Sequence, residues 1–207
     1  MSAFPAAIFA WRPGDRSGLP IFMTTWDLIC ADFAAAWDRE LPSSLIGRLR
    51  MVLSCAATVR GAATIGFRIA HAVGRRSSVA GAALKQVNQI VTGCDIAHEA
   101  RIGPGFRMFH PNGVVINPAT VIGARCTIHQ GVTLGGTPSG APLIGDDVDI
   151  APGARIMGPV IIDHHVRVGA NAVLTHTISG SYLVLAGVPA RILRKARPDD
   201  FPARGPL

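Results

Sequence analysis

The chain has 207 residues, 49% hydrophobic and only 16% charged, with a net charge of +7. A chain this apolar has enough material for one good core and lacks the composition of a disordered protein. Its low aromatic content, 6%, and the lack of a recognisable DNA- or RNA-binding module argue against nucleic acid as a partner.

Residues 1–22 contain Pro5, Pro13 and Pro20 and have no basic stretch ahead of an apolar run. They do not have the form of a signal peptide, and they are expected to be disordered or to precede a true start at Met23. No run of 18 apolar residues escapes interruption by arginine, so no membrane-spanning helix is expected.

Residues 23–92 read as an α-helical region. Asp27, Leu28, Asp32, Phe33 and Trp37 mix polar and apolar residues at helical spacing. Pro42, Ser43 and Ser44 end that helix and can start the next. Across residues 45–73, Leu45, Leu49, Val52, Leu53 and Ala56 fall on one face. A third helix is expected over Val79–Val91, ended by Gly93. Between Glu40 and Asp95 there is no acidic residue, whereas Arg48, Arg50, Arg60, Arg68, Arg75, Arg76 and Lys85 are all present. Such a segment favours phosphates or an anionic membrane face; its plainer reading is a solvated helical surface.

From residue 93 the period changes to six. Ile96, Ile102, Met108 and Val114 form one run of aliphatic anchors. After a two-residue slip, Ile116, Ile122, Ile128 and Leu134 form a second. A ten-residue step crosses GGTPSGAPL, and Ile144, Ile150, Ile156, Ile162, Val168 and Leu174 form a third. Glycine or a small residue often follows the anchor, and the fourth position after it is small or β-branched: Ala100, Thr120, Cys126, Val132, Val148, Ala154, Val160, Val166 and Ala172. A period of six fits neither a helix nor a flat strand. It fits a parallel β-helix, in which three hexads make one triangular coil and each anchor points inward. The fold expected for residues 93–193 is therefore mainly β, followed by a C-terminal tail over 194–207. The four cysteines, Cys30, Cys55, Cys94 and Cys126, have no regular spacing and read as free thiols of a reducing cytosol.

Three segments carry a more specific likeness: FRIAHAVGRRSSVAGAALKQVNQIVTGCDIAHEARIG at 67–103, HPNGVVINPATVIGARCTIHQGVTLGGT at 110–137 and LAGVPARIL at 185–193. In order and spacing they resemble the serine acetyltransferase family of hexapeptide-repeat acyltransferases, with a flavour of the branch that acetylates exopolysaccharides such as colanic acid. The resemblance implies a left-handed coil and acetyl-CoA as co-substrate. It implies a homotrimer or dimer of trimers with active sites between prisms. It makes His110 the general base and Asp95 its orienting carboxylate. An imidazole near neutral pKa can take the proton of an attacking alcohol, and a carboxylate on its other nitrogen fixes the tautomer. The plainer readings are a turn histidine and a capping aspartate. By the same resemblance Gly135, Gly136, Thr137, Ala154, Ala186, Gly187 and Pro189 line the coenzyme groove. Arg191, Arg194 and Lys195 meet its phosphates unless they form a solvated tail. Phe109, Asn112 and His129 are the candidate acceptor contacts, and His98 resembles a structural histidine.

The sequence departs from the serine-specific pattern. Phe109 stands where those enzymes have an acid that holds the serine ammonium, and the PSGAPLIG loop lacks their Arg-His pair. The residues ARGPL at 203–207 do not resemble the family's isoleucine-ended tail, so no docking to cysteine synthase is expected. These departures favour a sugar or glycan hydroxyl lying on Phe109, acetylated in the cytoplasm or at the inner membrane face; serine is the alternative acceptor. A zinc enzyme on the same prism would need converging histidines. The expected His-x4-His spacing is absent, so no metal is expected.

Overall fold

A computed structural model describes residues 23–37, 40–197 and 200–201. The expectation for residues 1–22 and most of the C-terminal tail lie outside the described residues.

Four helices come first: α1 (Thr25–Ala36), α2 (Leu45–Ala56), α3 (Val59–Gly74) and α4 (Ser78–Thr92). Each begins at a hydroxyl cap, Thr24, Ser44, Thr58 or Ser77, whose side chain accepts a backbone N–H of the first turn. Gly93, at φ 73°, ends α4 in the left-handed conformation. The expected single run over 45–73 is two helices bent by 113°. Thr58 breaks it: its backbone is extended, and its hydroxyl donates to Cys55 O and accepts from Gly61 N.

Fifteen short strands follow, β1 (Asp95–Ile96), β2 (Arg101–Ile102), β3 (Arg107–Met108), β4 (Val115–Ile116), β5 (Val121–Ile122), β6 (Thr127–Ile128), β7 (Thr133–Gly135), β8 (Leu143–Ile144), β9 (Asp149–Ile150), β10 (Arg155–Met157), β11 (Ile161–Ile162), β12 (Val166–Val168), β13 (Val173–Leu174), β14 (Leu183–Ala186) and β15 (Arg191–Lys195). They stack into three parallel sheets, the sides of a triangular prism. Sheet A is β1-β4-β7-β10-β13, sheet B is β2-β5-β8-β11, and sheet C is β3-β6-β9-β12-β14, ended by antiparallel β15. The anchors lie in register along each sheet: Ile96, Ile116, Leu134, Ile156, Leu174; Ile102, Ile122, Ile144, Ile162; and Met108, Ile128, Ile150, Val168, Leu185.

Val114 is a correction to the hexad pattern. It is wholly buried, yet it precedes β4 and falls outside every strand; Ile116 is the anchor of that side. Val114 takes the small inward position two residues before an anchor. The two-residue slip is thus an insertion at the corner between Met108 and Val114. Where corners are regular, glycine lets successive coils close up: a Cβ on Gly123 would lie 2.7 Å from the Gly145 carbonyl carbon.

The helical region is fastened to the first coils. Phe67 and Ala63 of α3 enter the same apolar core as Ile96, Ile102 and Phe106. Beside them Arg68, 2% exposed, donates to Asp32 Oδ2 (2.8 Å) and Oδ1 (3.0 Å) and to the carbonyls of Ile102 (2.6 Å) and Gly103 (2.7 Å). The Phe106 amide donates to Asp32 Oδ1 at 2.9 Å. Burial pushes the Asp32 carboxyl up, and Arg68 and the Phe106 amide pull it back. His98 is buried where α3 meets α4, against Gly74 and Gly81, in a structural setting.

Candidate active site

His110 sits on the corner insertion between sheets C and A. Its backbone is left-handed, φ 53°, a conformation about 1–2 kcal/mol unfavourable for a side chain with a Cβ. Its side chain is exposed. Two backbone bonds bracket the turn: Phe109 N to Ile128 O at 2.8 Å, and Gly113 N to Gly93 O at 2.9 Å. The second brings Asn112 beside Gly93 at the end of α4.

Asp95 stands on β1, in register with Val115, and is half-buried. Its Oδ1 pairs with Lys85 of α4. Among the described residues no ion pair joins Asp95 to His110, so within this chain the expected pair is not closed. Lys85 uses one oxygen and leaves Oδ2 for a further donor.

Phe109 is not the open platform expected for a sugar ring. His129 stacks on it, ring centroids 5.3 Å apart and planes 20° apart. Arg60 of α3 also approaches its ring, 5.6 Å from the centroid, and lies 3.8 Å over Trp37. The Nε2 of His129 is 3.5 Å from Asp149 Oδ1, and Arg167 Nε is 3.6 Å from Oδ2. Arg60, Trp37, Lys85 and Asp149 were not legible as site residues. Only Asp149, a carboxylate beside an anchor in an apolar coil, gave any signal.

Above Phe109 the same corner continues in register. Phe109 bonds to the coil of His129, His129 N to Ile150 O, Ala151 N to Val168 O, and Gly169 N to Leu185 O. Phe109, His129, Ala151, Gly169 and Ala186 therefore form one line up the prism. Four steps of roughly 4.8 Å make it about 19 Å long. Its upper half is lined by small residues and ends at Ala186, Gly187 (φ 98°) and the cis Val188–Pro189 bond. Arg191 and Lys195 of β15 follow, both exposed, while Arg194 is held by Asp200 at 2.5 Å.

Two groups expected at the coenzyme lie apart from the His110 corner on one chain. Ala154 is wholly buried in the apolar core, as its place four residues after Ile150 dictates, so its side chain faces no ligand. Gly135 ends β7 of sheet A, and Gly136 and Thr137 follow it between sheets A and B, where Thr137 and Gly140 exchange backbone bonds of 2.8 and 3.0 Å. All of sheet A separates that corner from His110. Among the described residues no group of three or more His, Cys, Asp or Glu is placed to hold a metal.

The period-six prism defines a hexapeptide-repeat transferase fold, and residues 141–176 match the family described as bacterial transferase hexapeptide (six repeats). A serine acetyltransferase of Staphylococcus aureus is 39% identical over 132 residues, 61% of this chain and 62% of the relative. A soybean serine acetyltransferase complexed with serine is 32% identical, with TM-score 0.69 over 80% of this chain and 68% of that one. A serine acetyltransferase in complex with coenzyme A from Brucella abortus is 26% identical, with TM-score 0.70 over 82% of this chain and 68% of that one. The chain belongs to the serine acetyltransferase family, and its coil is the left-handed β-helix of that fold. It spans 62% of the length of the curated relative.

Proposed function

We propose that the chain transfers the acetyl group of acetyl-CoA to a hydroxyl, with serine as the first acceptor. The observation that carries the reading is the line up the prism from the corner of His110, past Phe109 and His129 and along the small residues Ala151, Gly169 and Ala186, to the cations of β15. A long phosphorylated thioester can lie along it, with its thioester at His110 and its phosphates at Arg191 and Lys195. The Brucella relative's complex with coenzyme A supports the donor.

In this reading the His110 imidazole takes the hydroxyl proton as the oxygen attacks the thioester carbonyl. The tetrahedral intermediate collapses, the C–S bond breaks, and the imidazolium returns the proton to the departing thiolate. Asp95 Oδ2 orients the ring.

Serine moves ahead of the sugar for two reasons. The relatives are serine acetyltransferases, one of them complexed with serine. The sugar reading also relied on a free Phe109 face, and His129 and Arg60 now occupy that ring. A saccharide hydroxyl stays as the second reading because no acid precedes His110 to hold an ammonium.

Partners and place belong to the same proposal. A homotrimer would bring the 135–142 loop of one prism against the His110 corner of another. The face of α4 suits such packing, since Val79, Val87, Ile90 and Val91 are 83%, 57%, 76% and 68% exposed. Four buried free thiols suit a cytoplasmic setting. An anionic membrane face is a further candidate partner for the acid-free helices, and flotation with anionic vesicles checks it.

The deciding assay is thiol release from acetyl-CoA with L-serine, homoserine, sugars and nucleotide sugars, with His110→Ala as control. Turnover of L-serine that falls about 100-fold or more in the variant supports the proposal. Turnover of saccharides alone installs the second reading, and no release with any acceptor overturns acetyl transfer.

A further inference from the structure

The ring of His110 has no hydrogen bond or ion pair among the described residues, yet its backbone is held at φ 53°. An unfavourable turn persists only where its surroundings over-determine it. The two bracketing backbone bonds fix the strand ends on either side of the turn. Beside the turn, at Phe109, stands a column of side chains from four elements.

Trp37 closes the end of α1 and carries the Arg60 guanidinium at 3.8 Å. Arg60, in the first turn of α3, also approaches the Phe109 ring. His129 stacks on that ring, one coil further along the prism. Behind His129 stands Asp149, 6% exposed, whose Oδ1 has no hydrogen bond among the described residues and lies 3.5 Å from His129 Nε2. At that distance the two form an ion-pair contact rather than a hydrogen bond. Phe109 therefore meets a cation and a stacked ring that has a carboxylate behind it. It cannot turn about its Cα–Cβ bond without giving up both contacts.

We infer that this column positions the catalytic turn: Arg60 and His129 clamp Phe109, and the clamped Phe109 fixes the backbone from which the His110 ring enters the groove. The inference rests on His110 being the general base. Phe109, His129 and Arg60 are positioning residues in it, acting through the turn. The helical region thereby governs turnover on the β-helix through Arg60, a residue remote in sequence from the hexads. A displacement of about 1 Å at a reacting group lowers a rate on the order of 100-fold, so a slackened clamp lowers kcat and leaves coenzyme binding intact. The same contacts suit an aromatic residue before His110, since a flat ring can both stack on His129 and receive the Arg60 cation.

The test compares Phe109→Leu, Phe109→Tyr, Arg60→Ala and Arg60→Lys in the full chain, on whichever acceptor the wild type turns over. The readings are kcat, KM for acetyl-CoA, coenzyme A affinity by calorimetry, and Tm. Phe109→Leu is expected to lose roughly 10- to 100-fold in kcat, with coenzyme affinity within about twofold of wild type, and Phe109→Tyr to recover most of the loss. Arg60→Ala is expected to lose about 2- to 5-fold, the worth of one exposed cation–π contact, and Arg60→Lys to recover it. Unchanged kcat in a folded Phe109→Leu overturns the inference. So does a kcat loss that follows Tm and is equal in Phe109→Tyr, which would make the column merely structural. Failure of the base itself reads differently, as retained turnover in His110→Ala. A crystal structure of Phe109→Leu decides the clamp independently of activity: a His110 turn that leaves positive φ supports it, and one that keeps it overturns it.

Discussion

Replacing Asp32 by leucine tests how the helical region is attached to the prism. The substitution leaves the Arg68 guanidinium, 2% exposed, without its counter-charge and strips the Phe106 amide of its acceptor. Two carbonyls, Ile102 O and Gly103 O, still receive Arg68, but they carry no net charge. Removing one partner of such a pair is expected to destabilise by about 3–5 kcal/mol. For a chain of this length that lowers Tm by about 6–20 °C. Arg68→Met should have a similar effect by stranding the carboxylate. The double variant Asp32→Leu/Arg68→Met removes both charges together and should be destabilised by at least about 2 kcal/mol less than the sum of the singles. Denaturant unfolding at one fixed protein concentration measures all four proteins. A single-variant effect below about 1 kcal/mol, or strict additivity in the double, would refute the view that the charges depend on each other.

Further outcomes follow from particular groups. Burial pushes the His71 imidazole below its ordinary 6.5, against a hydrogen bond to the His98 carbonyl. The unfolded chain then binds the extra proton first, so the stability from His71 is complete above pH 6.5 and declines as pH falls below it. Unfolding midpoints at pH 8 and pH 5.5 should diverge less in His71→Phe than in wild type. Burial also pushes up the thiols of Cys30 and Cys94; a disulfide reagent should leave both unmodified in the native protein and label both at once in denaturant. Ala151 lies midway up the small-residue line, so Ala151→Phe should raise KM for acetyl-CoA about 10-fold or more, the worth of roughly 1.4 kcal/mol, with Tm unchanged. An unaltered KM would show that the coenzyme lies elsewhere.

The prism was legible because each hexad repeats one physical demand, an inward aliphatic at a fixed step. Ile116, Ile128 and Leu134 could be placed from that demand alone. Val114 was misread because a count of six cannot tell an insertion before a residue from one after it. Thr58 was passed over because an amphipathic stripe runs across a helix break unaltered. Ala154 was assigned both to the core and to the coenzyme; the hexad position decided it, since a residue four after an anchor faces inward. A slip in phase was visible, but it was set after Val114 rather than at the corner of His110. The grip on Phe109 was hidden because Arg60 and Trp37 reach it from separate helices, and no local pattern encodes that meeting.

A stack of parallel coils has no natural last member, since each coil offers the next a full set of backbone donors and acceptors over an apolar floor. This chain stops the series differently at its two ends. Phe67 and the Asp32–Arg68 pair plug the first coil with helix. At the other end β15 runs antiparallel to β14, so a second prism arriving head to tail finds the wrong strand direction on sheet C. On that side of the prism, end-to-end stacking of parallel coils is therefore disfavoured.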